Sequence, residues 1–494
     1  MNEIYIEKPI GKSIDIHVMR FIVTSLFITT IYLFSFLNSS VYYIDDIGRV
    51  ITGGWGWLGN GRPFSQYFFQ FLTGNNTVDI HPLPLLLGVS AILYAGWHIY
   101  INLFPNSPYI GAAAFAIILI NPFYLENLSY RFESMMMGFS VGLAILSAII
   151  LSKISPLRIL ISIILLFSMM CFYQASLGLY LTISIIVQFS VLLKSSENKP
   201  FLDRYKHLIS SAVVLLVSFG LYKLIYGDLV NNNEYDRLHS QLIPFSYEGL
   251  IILIDNINRF YEIIKLPIIG HNGYFYGVLL IGGFTSSLFL AIKLLALKRW
   301  IDSLFLALAP FLVVIASLIT LCILKEPVFA ARTFIGTSGV LLFFFYSLYY
   351  VGRNILALPV FAFLFITSLT INYAYANAVK AQQEQEYLIL NQLAADIKTE
   401  DASINEIIII GREKFSDKGL LSTNTFPVIQ LLVPRVLNNQ WYWGYMLLKH
   451  HPETRHLKQY KDASQFVVTE SKLIAERSLY KLWICRNRFI LQFK

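Results

Sequence analysis

Residues 18–46 read VMRFIVTSLFITTIYLFSFLNSSVYYIDD, an apolar run of bilayer length that ends on an aspartate pair. A helix of about 20 apolar residues crosses a ~30 Å hydrocarbon core. The run has no small-residue cleavage site, so it reads as a retained first span rather than a signal peptide. Comparable runs follow near 82–104, 109–122, 134–152, 157–173, 176–193, 208–227, 276–297, 302–324, 334–351 and 354–376. With 18–40 they make about eleven spans, the fold class of a polytopic α-helical membrane protein. Composition agrees. Of 494 residues 56% are apolar and 14% charged, against about 25% charged in soluble domains, which excludes a soluble enzyme. The apolar stretch from Ile159 to Leu193 is too long for one crossing, so a tight reversal is expected at Gln174-Ala175-Ser176.

Net charge is +8, from 38 Lys and Arg against 30 Asp and Glu. Topology accounts for it without nucleic acid. With the N-terminus inside, the short inner segments hold about 13 basic residues, while the outer loops, about twice as long in total, hold about 8. The positive-inside rule then puts the N-terminus in the cytoplasm and the C-terminal tail in the periplasm. The outer loops, roughly 41–81, 123–133, 228–275 and 325–333, carry the chain's length, so the working face is outside.

The membrane part is read as residues 1–376 and a small α/β domain as 377–494. The tail opens with a helix-favouring stretch continuing the last span. INEIIIIG at 404–411 has a buried-strand pattern, FVVTE at 466–470 is a short strand, and LYKLWICRNRFILQF at 479–493 is two strands around a turn at Arg486-Asn487-Arg488. Cys171, Cys322 and Cys485 are far apart and odd in number, so neither a disulfide framework nor a zinc site is indicated. His81 and His98 lack a partner at ligand spacing and are read as structural, and no metal site is expected.

The chemistry-bearing residues gather in the outer loops. Asp45 and Asp46 lie at headgroup level, where a carboxyl next to a low-dielectric boundary can act as base toward a hydroxyl. A solvated turn is the plain alternative, and Arg49, one helical turn on, is their candidate salt-bridge partner. GGWGWLGNGRPF brings Gly for close backbone approach, Trp55 and Trp57 as sugar-stacking or interfacial rings, and Arg62 as a phosphate clamp. NPFYLENLSYRFESM brings Glu126, Tyr130, Arg131 and Glu133, with Glu126 and Arg131 a candidate ion pair. KEPVFAARTF adds Lys325 and Arg332, suited to a lipid phosphate or to snorkelling. In the tail, NNQWYWGYM places Trp441 and Trp443 as sugar-stacking residues or as part of a small core.

YYIDDIGRVITGGWGWLGNGRPF, with DIHPLPLLLG, NPFYLENLSYRFESMMMG, FYQASLGLYL and AARTFIG, resembles the bacterial O-antigen glucosyltransferases of serotype conversion, glucosyltransferase II type. The resemblance runs from about residue 20 to 350. It implies a GT-C type architecture in the bacterial inner membrane; no cofactor is expected, and the sequence leaves a divalent metal requirement open. It also implies a polyprenyl-phosphate sugar donor and inverting transfer to lipid-linked O-antigen in the periplasm. The family's acidic base in the first outer loop falls here on Asp45 or Asp46; Asp45 is taken as the base and Asp46 as its partner. Arg62, Arg131, Arg332 and Lys325 are candidates for the donor phosphate, and Arg49, Trp55, Trp57, Glu126, Tyr130, Glu133, Trp441 and Trp443 for substrate contact. A lipid-linked saccharide flippase or exporter and an O-antigen polymerase are the alternatives.

Overall fold

The structure, a computed structural model, describes residues 16–37, 40–195, 199–231, 234–398, 404–440, 442–460 and 471–494. In chain order the helices are α1 (Ile16–Leu37), α2 (Asp45–Thr52), α3 (Pro63–Thr73), α4 (Leu83–Leu103), α5 (Pro108–Leu119), α6 (Tyr124–Ser129), α7 (Ser134–Ile150), α8 (Pro156–Phe172), α9 (Leu177–Lys194) and α10 (Phe201–Asn231). There follow α11 (Glu234–Ser240), α12 (Tyr247–Ile264), α13 (Leu266–Ile269), α14 (Tyr274–Ala296), α15 (Trp300–Cys322) and α16 (Gly336–Ile397). Every apolar run read from the sequence lies on one of these. Among the described residues seven helices are long and apolar enough to cross a membrane, and α5, α7 and α8 are shorter apolar helices. The 12-residue α5 is buried at every position from Ile110 to Leu119. At 1.5 Å per residue it reaches only about 18 Å, so it serves as the bundle's centre.

Two breaks in the apolar pattern are visible. A single 3₁₀ turn at Gln174–Ser176 separates α8 from α9, where the reversal is expected. The 62-residue run of α16 is interrupted at Arg353, which takes φ 50° and ψ −150°. Beyond it the second arm folds back on the first, bringing Phe361 to 6.3 Å from Phe345. That arm continues past the apolar segment as far as Ile397 and carries the C-terminal domain. The stretch read as a long outer loop at 228–275 contains α12, whose Leu250, Ile251, Ile254, Ile257 and Tyr261 form an exposed stripe at helical spacing, as in a helix lying on a membrane surface.

The C-terminal domain is built on a five-stranded mixed sheet, β1 (Glu406–Ile410), β2 (Lys458–Gln459), β3 (Lys472–Glu476), β4 (Tyr480–Cys485) and β5 (Arg488–Phe493), in the order β2-β1-β5-β4-β3. β1 pairs parallel with β2 and β5, while β4 runs antiparallel to β3 and β5. Its isoleucines are buried on both faces: Ile408 packs with Cys485 and Ile490, Ile407 and Ile409 with the main core. The β4–β5 turn uses Arg486 and Asn487 at positive φ, the conformation of a two-residue hairpin loop. The strand expected at 466–470 lies outside the described residues. Helices α17 (Asp417–Thr425), α18 (Val428–Leu432) and α19 (Trp443–Leu448) complete the domain.

Candidate active site

The first loop turns sharply before its acidic pair. Ile44 takes φ 27° and ψ −92°, a region costly for a β-branched residue. It is held there by burial and by the Asp46 N–H bond to the Tyr43 carbonyl (2.8 Å) and the Ile47 N–H bond to its own carbonyl (3.1 Å). α2 starts at once, so adjacent aspartates point to different sides. Asp46 is 0% exposed; its Oδ2 accepts from the Arg131 backbone N–H at 2.8 Å, and its Oδ1 makes no hydrogen bond. Burial pushes its carboxyl up to about 8 against the pull of the Arg49 guanidinium and the Arg131 N–H. Asp45 is half-buried. Its Oδ1 accepts from the Tyr442 hydroxyl at 3.0 Å and the Trp443 indole N–H at 2.8 Å, and its Oδ2 accepts no bond among the described residues.

Four arginines surround this pair, each tied to a carboxylate. Arg49 Nη2 meets Glu133 Oε1 at 2.5 Å and Arg62 Nη1 meets Glu133 Oε2 at 3.3 Å. Arg131 Nε meets Asp79 Oδ2 at 2.9 Å, and Arg332 Nη1 meets Glu126 Oε1 at 2.5 Å. One expectation is corrected here. Glu126 pairs with Arg332 rather than Arg131, since Glu126 also accepts the Arg332 backbone N–H at 2.8 Å. Arg49 is a partner of Asp46 as expected, its Nη1 4.0 Å from Asp46 Oδ1, and it pairs more closely with Glu133. The two cations on Glu133 hold that buried carboxyl below its usual range despite desolvation.

The glycine-rich segment sets Arg62. Gly61 adopts φ 68°, and its carbonyl is pinned by Gln174 Nε2 and the Tyr222 hydroxyl, both at 2.8 Å. Pro63 then opens α3 with Arg62 over the Tyr173 ring at 4.5 Å. At Gly61 the glycine therefore shapes a turn. Trp57 is 1% exposed and lies 4.8 Å from the Arg49 guanidinium carbon, so its ring is neither an interfacial anchor nor an open platform for a sugar. Trp55 is half-buried against Trp57 and Phe69. Lys325 is exposed and belongs to none of these ion pairs. Trp441 lies outside the described residues, and Trp443 reaches Asp45. Asp79 and Tyr173 were not singled out in the sequence; Asp79 sits in a plain loop with no signal beyond an acid ahead of an apolar run.

Several buried polar atoms of this cluster make no hydrogen bond: Arg49 Nε and Nη1, Arg62 Nε, the Tyr130 hydroxyl and Asp46 Oδ1. Native cores rarely leave such donors unused, and a ligand is one explanation. Among the described residues no group of three or more His, Cys, Asp and Glu stands ready to hold a metal. Adjoining the cluster is an apolar cavity of about 440 Å³, lined by Phe123, Leu280, Phe284, Val340 and Phe344 among others. Phe123 stands three residues before Glu126 and stacks on Phe334, two residues after Arg332, at 5.2 Å.

A helical bundle of membrane type with an ionised cluster at one end and an apolar cavity beside it defines the class, a polytopic membrane protein. Within that class the chain belongs to the glucosyl transferase GtrII family, whose model matches residues 34–343, and is a glycosyltransferase by that membership. A Salmonella phage P22 protein, described as an uncharacterised 55.3 kDa protein in the gtrB 5′ region, is 29% identical over 466 residues, covering 89% of this chain and 92% of its own. No solved structure matches. The matched residues hold Asp45, Asp46 and all four arginines, whereas Tyr442 and Trp443 lie beyond them.

Proposed function

We propose that the protein transfers a hexose, glucose by its family, from a polyprenyl-phosphate donor to lipid-linked O-antigen on the periplasmic face of the bacterial inner membrane, with inversion. The observation that carries this reading is Asp45 Oδ2, an oxygen of a half-buried carboxylate without a partner among the described residues, at the end of the bundle where arginines 49 and 62 keep unused N–H groups. In the reaction Asp45 accepts the proton of the acceptor hydroxyl as its oxygen bonds to the anomeric carbon. The bond from that carbon to the phosphate oxygen breaks on the opposite side, and the electron pair leaves with the phosphate. Guanidinium groups aimed at that phosphate stabilise its growing charge, so no general acid is needed.

Asp46 is held mostly protonated at neutral pH by its burial, which suits a fixed partner better than a base open to substrate. Glu133 and Glu126 offset the arginines until the anionic donor arrives. The neighbouring cavity, of a size common for small-ligand sites, suits the isoprenoid chain next to the phosphate. Residues 1–376 are the catalytic domain on this reading, with 377–494 periplasmic.

The deciding experiment is transfer in membranes supplied with the polyprenyl-phosphate donor and lipid-linked O-antigen. Asp45→Asn should abolish glucose addition with the protein still inserted. Retention of most activity would place the base elsewhere. A reporter active only in the periplasm, fused after Lys494, should signal; silence there puts the cluster on the wrong face for the acceptor.

A further inference from the structure

The membrane part's aspartate is held by the C-terminal domain. Tyr442 Oη and Trp443 Nε1 both donate to the same oxygen, Asp45 Oδ1, at 3.0 and 2.8 Å, across nearly 400 residues of chain. A second tie lies two residues ahead of Asp45, where the buried Tyr43 hydroxyl donates to the Leu432 carbonyl at 2.6 Å. Between them α19 packs on α2 at Gly48, where a Cβ would meet Tyr442 Cε2 and Met446 Cγ, each at 3.6 Å. The loop that delivers Tyr442 is itself anchored to the domain's stem. The Val436 N–H bonds Glu386 Oε1 at 3.2 Å, and the Leu437 N–H bonds Glu413 Oε1 at 3.0 Å.

We propose that Tyr442 and Trp443 are positioning residues for the transfer, and that the C-terminal domain completes the active site by fixing the Asp45 carboxylate. This rests on the reading of Asp45 as base. Two donors on one oxygen fix the rotation of the carboxylate and leave the lone pairs of Oδ2 as the site for the acceptor's proton. The strained Ile44 ahead of it limits backbone freedom from the other side. A freely rotating carboxylate would present Oδ2 correctly only part of the time, and small misplacements of a reacting group cost large factors in rate. The two rings therefore act through Asp45, and their other faces need not touch the sugar.

The expected effect is on kcat. Tyr442→Phe and Trp443→Phe each remove one donor and keep a ring; each should lower kcat about ten-fold and the pair about a hundred-fold, with KM for the polyprenyl-phosphate sugar unchanged. The decisive readout is the split between kcat and the two KM values. A domain that merely binds the acceptor would raise acceptor KM and leave kcat in place, which overturns the proposal. Unchanged kcat in the double variant, with Asp45→Asn inactive, also overturns it while leaving the base assignment intact. An active Asp45→Asn overturns both. Should the double variant release its C-terminal domain to protease, Tyr442→Phe alone keeps the test readable, because it removes a single hydroxyl from a ring 44% exposed.

Discussion

Two pairs of neighbouring acids, one in the first loop and one at the joint with the C-terminal domain, are held differently. Asp45 and Asp46 stand among arginines 49, 62, 131 and 332, with donors left unused around them. Glu386, on the stem of α16, faces Glu413 of the C-terminal domain. Each of the two glutamates accepts a backbone N–H, from Val436 and Leu437, and the Arg435 guanidinium reaches the Glu413 carbonyl at 3.4 Å. Desolvation raises Asp46 to about 8 and Glu413 to about 7, and Glu386 is raised well above its usual range. Burial alone thus does not distinguish a site from a joint. The number of cations does: four arginines surround the aspartates, whereas each glutamate holds a backbone N–H and the atoms left unbonded there are Glu413 Oε2 and Arg435 Nε.

The comparison breaks first at Asp45. Asp45→Asn should lower transfer by about a thousand-fold, within the range for loss of a general base, while Glu386→Gln should leave the rate within a few-fold. A transfer assay on both variants, matched for membrane content, decides it; comparable losses would make the glutamates part of the chemistry. Next come the cations. Arg62→Lys keeps a charge but loses the planar fork that can serve Glu133 and a phosphate together. A rise of about ten- to a hundred-fold in donor KM is expected, read by titrating the polyprenyl-phosphate sugar, and an unchanged KM would remove Arg62 from the phosphate site. Asp46→Asn should cost less, about ten-fold or under, because an amide oxygen still accepts the Arg131 N–H. A loss equal to that of Asp45→Asn would reverse the roles assigned to the pair.

Much of the first pair's surroundings was legible in the sequence because apolar periodicity fixes which loops share an end of the bundle. Once the runs at 18–40, 109–122 and 334–351 are helices, Asp45, Glu126 and Arg332 must lie close in depth. The same reasoning located the reversal at Gln174, strand β1 with its four isoleucines, and the β4–β5 hairpin. Pairing was not legible. Any arginine at that depth can meet any carboxylate, so Glu126 was matched to nearby Arg131 when it bonds Arg332, 206 residues away. Strand β3 alternates too weakly to read, and α12 was hidden by charges within a long polar loop. Nothing local announces that Trp443 reaches Asp45, because that contact depends on how a whole domain docks.

The smallest expected effect lies in the second pair and concerns stability as pH changes. Glu413 takes up its proton near pH 4.5 when exposed and near pH 7 when buried against Glu386. Between those values the folded state binds more protons than the unfolded state, so stability falls as pH rises through that window and levels off above it. The groups facing Glu413 do not reverse the sign: burial sets the rise, and the hydrogen bond shared with Glu386, the Leu437 N–H, Gln382 and Arg435 only moderate it. The C-terminal domain should therefore detach more readily at pH 7.5 than at pH 5, with a midpoint lower by a few degrees. Protease sensitivity of the domain in detergent, followed against temperature at the two pH values, gives that midpoint. Glu413→Gln keeps an acceptor for the Leu437 N–H but takes up no proton, so its midpoint should vary less with pH than the parent's. A parent whose midpoint stays flat across the window would mean that the two glutamates share no proton, and the joint would then be held by its backbone bonds alone.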